Sequence, residues 1–346
     1  MSGNQLKFHV VNSIKGGAGK STFSLMLANY YIQKGKKAIV IDLDLQGTSW
    51  EDNYKPFFKK PVSNGYINDL MYSFDEFSLD EYERRISVQL LPDGGGLFEK
   101  AKEDYCIPVY ISSYNITRID EIQVDLFINA IYRLIVQIYT NFNEEEIHII
   151  FDMPPSKDKH AERVLTYLLL DMNSPLRKKC EFDIKLYMMT NITMSHRNKN
   201  IEYLRELARN TSYSGNLPKL AEDGSFELFI VMNDLSNIMP DTPKPTSNIM
   251  PDAPIPTSSS MTDDPKPTSN MYTNVNKMIY NIPFTNKKKT ESFAKVVLLK
   301  HIVFMHKQQI LDRLCSDKDA TGEIMKISFD SNNSCNDTIE MCNGKI

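Results

Sequence analysis

The chain has 346 residues, of which 41% are hydrophobic and 24% charged, as in a globular protein long enough for one large α/β domain with additions. The net charge of −4 gives no overall signature of nucleic-acid binding, so any basic surface must be local. Five scattered cysteines without C-x-x-C spacing argue against a zinc site or a disulfide framework. No apolar run reaches the roughly 18 residues of a membrane span, and no secretion signal is evident, so we expect a cytoplasmic protein.

The first predicted strand, residues 6–12, leads through a glycine-rich loop into a predicted helix over residues 20–34. The loop reads Lys-Gly-Gly-Ala-Gly-Lys-Ser from Lys15 to Ser21. Its glycines let the backbone turn sharply and direct N–H groups towards a phosphate, and the helix adds its positive N-terminal end. In such a loop Lys20 would reach the β- and γ-phosphates, and the Ser21 hydroxyl would ligate Mg²⁺. The sequence therefore predicts a nucleotide phosphate site.

The second predicted strand, residues 37–43, ends at a pair of carboxylates, Asp42 and Asp44. Side chains at i and i+2 of a strand share one face, here at the carboxyl end, where ligands bind in parallel α/β sheets. One carboxylate could hold the water shell of a metal ion and the other could orient an attacking water. The alternative is that both residues only end the strand. Trp50, the single tryptophan, follows this pair and is predicted to be a packing or dimer-edge residue.

Residues 50–85 are predicted to form short helices beside this site, without an assigned chemistry. The glycine-rich run at 94–96 follows a predicted strand, but no lysine follows it with phosphate-loop spacing, so we interpret it as a strand exit. The other predicted elements are strands at 86–91, 147–152, 183–189, 226–232 and 277–282, and helices near 117–140, 158–172, 196–210 and 290–314.

The predicted strand 147–152 ends at Asp152, followed by Met-Pro-Pro-Ser. An apolar strand that delivers one aspartate is the Walker B arrangement, in which the carboxylate approaches Mg²⁺, usually through water. Pro154 and Pro155 stop the strand and stiffen the segment that would sense the γ-phosphate.

These three segments, 15–22, 42–46 and 152–156, together resemble the motifs of the ParA/MinD family of deviant Walker A ATPases. The resemblance covers roughly residues 6–235 and 275–315. It implies a P-loop fold of the α/β class: a doubly wound, mostly parallel sheet with helices on both faces. It also implies ATP and Mg²⁺ as cofactors. The one departure in the second motif is Leu45, where the family usually has proline.

The resemblance also assigns roles to individual residues. Lys15 would act in trans on the ATP of a second copy and Lys20 in cis, although a solvated loop lysine is the alternative for Lys15. Asp44 would orient the attacking water, while Ser21, Asp42 and Asp152 would support Mg²⁺. The implied nucleotide-contacting residues are Gly16, Gly17, Ala18, Gly19, Lys20, Ser21, Thr22, Asn233 and Pro283. Asn233 could pair with the adenine edge through its amide, or it could simply form a turn.

Residues 236–246, 247–257 and 258–268 are three tandem units of eleven residues, the third degenerate. They contain eight of the chain's 17 prolines, and they offer too little apolar surface to fold. We therefore expect residues 236–270 to be a disordered or polyproline-like insertion in a single ATPase domain over residues 1–315. A peptide-docking role for the repeats is the alternative. Residues 316–346 are predicted to be a polar tail.

The predicted helix 290–314 and the residues before it are locally basic, with seven Lys/Arg against two acidic residues between Lys287 and Arg313. Clustered cations bind phosphates without base contacts, and the partition branch of the family binds DNA through basic C-terminal residues. A solvated, lysine-rich helix face is the alternative. The candidate DNA-binding residues are Lys287, Lys288, Lys289, Lys295 and Lys300. The tail lacks a basic amphipathic helix, which argues against membrane attachment of the MinD kind.

The resemblance thus implies a slow ATPase that forms an ATP-sandwich homodimer, binds DNA non-specifically and is nucleoid-associated while ATP-bound. It would segregate or position a plasmid, a chromosome or other cargo, and a small ParB-like partner would stimulate it. The alternatives are an ATP-gated scaffold without turnover and a MinD-like positioning protein that acts on a protein partner. An Fe–S carrier would need paired cysteines, and a bacterial tyrosine kinase would need tyrosines after Tyr280, which the chain lacks.

Overall fold

The computed structural model of the chain describes a defined set of residues: 5–45, 50, 54, 58, 65–72, 76–87, 106–112, 123–142, 146–155, 157–191, 194–209, 220, 223–234 and 294–300. Several sequence predictions lie outside them: the glycine run 94–96, the strand 277–282, the insertion 236–270, the tail 316–346, and residues Pro283, Lys287, Lys288 and Lys289.

Within the described residues, eight strands form one sheet in the order β3-β4-β2-β5-β1-β6-β7-β8. The strands are β1 Gln5–Asn12, β2 Lys37–Asp42, β3 Glu83–Ser87, β4 Cys106–Tyr110, β5 Glu146–Asp152, β6 Phe182–Asn191, β7 Phe226–Asp234 and β8 Ala294–Lys300. Only the pairing of β3 with β4 is antiparallel, and the other neighbouring pairs run parallel.

The helices of the described chain alternate with these strands. They are α1 Lys20–Gln33, α2 Leu79–Tyr82, α3 Val124–Asn141, α4 Lys159–Arg163, α5 Pro175–Lys179 and α6 Met194–Arg209. A 3-10 turn spans Ile67–Met71, and a π-helical stretch, Val164–Leu170, continues α4. Helix α4 begins where the Asp158 carboxylate accepts hydrogen bonds from the backbone of His160 and Ala161. None of the described helices is long and apolar enough to cross a lipid bilayer.

Helices cover both faces of the sheet, as the alternation of side chains along β1 shows. Phe8 and Val10 belong to a core shared with α3 residues such as Leu134, whereas Val11 belongs to a second core shared with Phe23 of α1. A parallel sheet buried on both faces needs such a layer on each side. The predicted doubly wound α/β fold is therefore confirmed.

Several elements differ from the prediction: α5 was not predicted, and β3 begins at Glu83 and not at residue 86. Residues 294–300 were expected inside the helix 290–314, but they form the edge strand β8, parallel to β7; the helix prediction is wrong there. A short apolar run reads alike for a buried strand and a helix segment, which explains the error. Strand β4 was not predicted, and it contains Pro108, a residue that is uncommon inside a sheet. In the register, β2 pairs with β4 only at Val109 and Tyr110, so Pro108 is not paired with a residue of β2.

A polar cluster lies inside the core between β1, β5 and α1. Nε2 of His9 is 2.9 Å from Nδ1 of His148, and Nδ1 of His9 is 3.2 Å from the Tyr187 hydroxyl. The ring of Tyr31 stacks on His148 with centroids 3.6 Å apart. Nε2 of His148 lies 3.0 Å from a carboxylate oxygen of Glu146, which connects the cluster to the surface.

Candidate active site

The three sequence motifs meet because their strands are neighbours. Strands β2, β5 and β1 are consecutive in the sheet, and in the register Asp42 lies opposite Asp152, which in turn lies opposite Val11. The glycine-rich loop starts directly after β1. The loop, the Asp42–Asp44 turn and the segment after Asp152 therefore occupy the same carboxyl edge of the sheet, where open parallel sheets bind ligands.

The glycine-rich loop has the backbone conformation that its glycines allow. Gly17 and Gly19 have φ of 78° and 88°, in the left-handed region that disfavours side chains. Gly19 is the N-cap of α1, whose first residue is Lys20. At Gly16 an added Cβ would lie 3.9 Å from Cβ of Pro155, so the loop runs beside the proline segment that follows Asp152.

Lys20 is only 8% exposed, although it carries a charge. Burial lowers the pKa of its ammonium group, and the neighbouring carboxylates of Asp152, Asp44 and Asp42 oppose that shift. A buried cation beside three acidic groups, at the start of a helix, is placed to receive an anionic ligand.

Asp42 shapes the turn that places Asp44. Oδ1 of Asp42 accepts a hydrogen bond of 3.0 Å from the backbone N–H of Asp44, and the Ser112 hydroxyl donates to the backbone oxygen of Asp42 at 2.7 Å. Burial, together with the negative charges of Asp152 and Asp44, raises the pKa of Asp42 well above its usual range. Asp42 thus ends its strand and also belongs to the acidic group, so the two interpretations of the sequence are compatible.

Asp152 offers a buried carboxylate oxygen that fits a metal ion. Its Oδ2 accepts a hydrogen bond of 2.7 Å from Nε1 of Trp50, whereas the described residues provide no hydrogen-bond partner for its buried Oδ1. Burial raises the pKa of Asp152, and the nearby Lys20 and the hydrogen-bonding hydroxyl of Ser21 oppose this shift. An uncompensated buried oxygen next to a serine hydroxyl is a suitable donor set for Mg²⁺.

The protein ligands alone do not form a complete metal cage. Among the described residues, no group of three or more His, Cys, Asp or Glu side chains has an arrangement that would hold a metal ion. Mg²⁺ usually takes one or two protein ligands and completes its octahedron with substrate phosphates and water. The arrangement around Asp152 and Ser21 therefore fits a magnesium ion that arrives with a nucleotide.

Sequence reasoning missed the contact of Trp50. This side chain is fully buried, as a packing role requires, but its indole N–H bonds the Asp152 carboxylate. The ring of Tyr54 lies 5.0 Å from that of Trp50, and its hydroxyl is hydrogen-bonded to Thr22 at the start of α1. The available signal was that a buried tryptophan normally needs an acceptor for its N–H, and the acidic motifs supply the nearest ones.

Helix α6 anchors the start of the loop through Asn200, which sequence reasoning also missed. Oδ1 of Asn200 accepts from the backbone N–H of Ile14 at 3.1 Å, while its Nδ2 donates to the Met189 oxygen in β6 at 2.8 Å. The Ser13 hydroxyl donates to the backbone oxygen of Lys15 at 3.0 Å. The path of the chain into the loop is thereby fixed before the first glycine. Lys15 itself is half-buried beside this anchor.

The remaining candidate residues lie farther from the loop. Asn233 is near the end of β7, two strands from β1, and pairs with Asn191 and Leu299 in the register. It is therefore at the same carboxyl edge as the loop. Lys295 and Lys300 lie in β8, at the edge of the sheet. The adenine and DNA-binding predictions for these residues stay predictions.

Comparison with known proteins gives one family and several distant structures. Residues 9–223 match the family model of the CobQ/CobB/MinD/ParA nucleotide-binding domain, and a search among curated proteins gives no match. A plasmid partition protein from Borrelia burgdorferi is similar at 16% identity over 66% of this chain and 79% of that chain, with a TM-score of 0.41. McdA from Cyanthece is similar at 12% identity over 94% of this chain and 99% of that chain, with a TM-score of 0.46. The MinC:MinD complex of Aquifex aeolicus is similar at 12% identity over 65% of this chain and 68% of that chain, with a TM-score of 0.38.

Proposed function

Because the chain belongs to the CobQ/CobB/MinD/ParA family of nucleotide-binding domains, we propose that it is a ParA-like ATPase that hydrolyses ATP to ADP and phosphate. The observation that carries the proposal is the convergence of Lys20, Asp44 and Asp152 at one edge of the sheet. Burial makes the charge interactions of this group stronger than they would be in water.

In this proposal the loop binds the phosphates and the acidic residues bind the metal. The backbone N–H groups of residues 16–22 surround the phosphates, and the Lys20 ammonium group supplies the charge that neutralises them. Ser21 and Oδ1 of Asp152 would hold Mg²⁺. Mg²⁺, when bound with ATP, supplies charge neutralisation at the β- and γ-phosphates.

Asp44 orients the water that attacks the γ-phosphate. This carboxylate is buried, it lies near Lys20, and its backbone is held by Asp42. A carboxylate with a fixed backbone can accept a hydrogen bond from a water and align that water with the γ-phosphate. Alignment and proton acceptance by such a group contribute about 10²–10⁴-fold to a rate. Asp42 contributes by keeping Asp44 in place and by adding negative charge near the metal.

The proposal includes a homodimer built around two ATP molecules. Lys15 lies one residue before the glycines and reaches the ATP of the second copy, where it neutralises charge that develops during hydrolysis. The anchor at Ser13 and Asn200 supports this role, because it fixes the backbone from which Lys15 extends. Turnover is slow until a small ParB-like protein stimulates it.

The proposal also includes DNA binding and the movement of a cargo. The ATP-bound dimer coats DNA through Lys287, Lys288, Lys289, Lys295 and Lys300, and it positions or segregates a plasmid, a chromosome or another cargo. Lys295 and Lys300 lie in β8, the last strand of the sheet among the described residues, and the support for this role is the local excess of lysines.

The ATPase rate of the purified chain, measured as phosphate release with and without duplex DNA, tests the proposal. We expect slow, Mg²⁺-dependent release, which Lys20→Ala abolishes. Release that is equal in the wild-type protein and the Lys20→Ala variant would contradict the proposed site. Tight ATP binding and dimerisation without phosphate release would instead support an ATP-gated scaffold. Phosphate release by a protein that does not bind DNA would favour a positioning protein of the MinD kind.

A further inference from the structure

We propose that Trp50 is a positioning residue for the metal carboxylate: its indole N–H holds Oδ2 of Asp152 so that Oδ1 stays available for the magnesium site. The proposal rests on the nucleotide and magnesium site described above.

The hydrogen bond between Trp50 and Asp152 is short and wholly enclosed. Nε1 lies 2.7 Å from Oδ2, the tryptophan is 0% exposed and the aspartate 2% exposed. An indole N–H can only donate, so it bonds a carboxylate oxygen and cannot bond a metal. One oxygen of Asp152 is therefore fixed by the protein, while the described residues leave the other without a hydrogen-bond partner.

This division of the two oxygens sets the rotation of the carboxylate. A buried aspartate that lacked the indole donor could rotate about its last bond and present either oxygen to Lys20 and Ser21. The indole removes that freedom by giving Oδ2 its own partner. Groups that orient a metal-binding carboxylate in this way typically contribute 10–100-fold to metal affinity.

Packing alone does not account for the contact. Filling the space between α1 and the sheet requires a large ring, and phenylalanine would supply one without a polar atom. A buried indole N–H needs an acceptor, and any backbone carbonyl would serve. The structure instead directs the N–H at the carboxylate of the Walker B aspartate.

Tyr54 holds the indole in place and connects it to the phosphate loop. Its ring lies against Trp50 with centroids 5.0 Å apart and an interplanar angle of 45°, and its hydroxyl is hydrogen-bonded to Thr22, the neighbour of Ser21. The Trp50–Tyr54 pair thus spans the distance from Asp152 to the first turn of α1. Both groups that are proposed to hold the metal are supported by the same pair of rings.

The test compares Trp50→Phe with the wild-type protein in the full chain, with Tyr72→Phe, a change at an exposed aromatic residue, as the control. Binding of a fluorescent ATP analogue is measured in EDTA and then as a function of Mg²⁺ concentration. We expect Trp50→Phe to need about tenfold or more Mg²⁺ for the half-maximal effect, with affinity in EDTA within about twofold of wild type. Tyr72 is 68% exposed and is not part of the proposed site, so the Mg²⁺ requirement of Tyr72→Phe should match that of wild type.

The outcomes separate this inference from the proposed function. If Mg²⁺ has no effect on nucleotide binding by the wild-type protein, the proposed ATPase site is wrong and the role of Trp50 falls with it. If wild type responds but Trp50→Phe needs the same Mg²⁺ concentration, or if Tyr72→Phe shifts the Mg²⁺ requirement equally, the inference alone is overturned.

A second measurement needs no variant. Trp50 is the only tryptophan, so ¹⁵N-labelled protein gives one indole N–H signal. We expect that signal to exchange slowly with solvent and to shift when Mg²⁺ is added with a non-hydrolysable ATP analogue. Exchange as fast as that of free indole would show that the hydrogen bond is not formed in solution, and it would overturn the inference.

Discussion

Nε2 of His9 and Nδ1 of His148 lie 2.9 Å apart inside the core, so the two imidazoles share one hydrogen between neighbouring strands. Such a pair is stable when both rings are neutral, because two buried imidazolium ions would repel each other. Burial lowers the pKa of both rings, that of His148 to about 4, although Glu146 opposes the shift at His148. Lys185, Lys7 and Lys36 add to the lowering.

The first prediction is that the protein loses stability between pH 7 and pH 5. Histidines of the unfolded chain take up protons near pH 6.5, whereas in the folded state the pKa of His148 is lowered to about 4 and that of His9 is also well below its usual value. The unfolded state therefore binds more protons, and the free energy of unfolding falls as the pH falls, by up to about 1.4 kcal/mol per pH unit for each histidine. Denaturant unfolding at several pH values measures this slope.

The matched control for this prediction is the double variant His9→Gln/His148→Gln. Asp42 and Asp152 have raised pKa values in the folded state and therefore act in the opposite direction, but they are present in both proteins. The difference between the two profiles isolates the histidines. The variant should be less stable at pH 7.5 but have a flatter profile, and parallel profiles would show that the pair does not carry the pH dependence.

The second prediction separates the two loop lysines. Lys20→Ala should weaken ATP binding by roughly 100-fold or more, because it removes the buried cation that we propose to bond the phosphates. Lys15→Ala should keep measurable ATP binding but lose dimerisation and turnover, because its proposed partner is the ATP of the second copy. Nucleotide affinity and, by analytical ultracentrifugation, the oligomeric state are measured for both variants. Equal and complete loss of binding in both variants would rule out a division between cis and trans roles.

The third prediction concerns Asp44 and Asp152. Asp44→Asn preserves the shape of the side chain but removes the charge that we propose to orient water, so turnover should fall about 10²–10⁴-fold while ATP and Mg²⁺ still bind. The ATP-bound dimer should accumulate. Asp152→Ala should instead weaken the Mg²⁺-dependent part of nucleotide binding. Normal hydrolysis by Asp44→Asn, measured as phosphate release, would exclude the water-orienting role.

The fourth prediction tests DNA binding. Changing the five candidate lysines, Lys287, Lys288, Lys289, Lys295 and Lys300, to glutamine should abolish ATP-dependent DNA binding without changing basal ATPase. Wild-type binding should weaken steeply with salt, since released counterions drive it. The control changes Lys178 and Lys179, two exposed lysines at the end of α5, and should bind DNA normally. Filter binding at several salt concentrations distinguishes the variants, and full binding by the five-lysine variant would exclude this surface.

The strand ends that carry the motifs were predictable because their signals are local. A strand that runs into glycines, into two alternate aspartates or into Asp-x-Pro-Pro is recognisable within about ten residues. The rule that parallel strands present ligands at their carboxyl ends then brings the three segments together. The structure places Asp42 opposite Asp152, as that rule implies.

The contacts that sequence reasoning missed depend on packing between distant parts of the chain. Trp50 and Asp152 are 102 residues apart, and Asn200 and Ile14 are 186 residues apart. No pattern within a window of residues records such a pair. The strand–helix error at 294–300 has another cause, because the continuous apolar run there, residues 296–299, is only four residues long and has no periodicity that could distinguish the two structures.

The parallel pairing of β8 with β7 determines how much the number of eleven-residue units can vary. Register is set between the strands, with Leu228 opposite Ala294, and not by the length of the 59 residues between Asp234 and Ala294. If that connection behaves as a flexible chain, one further unit costs about 0.15 kcal/mol of closure entropy. On that condition, duplication or deletion of a repeat unit would change the stability of the fold very little. The number of units would then be expected to differ among close relatives.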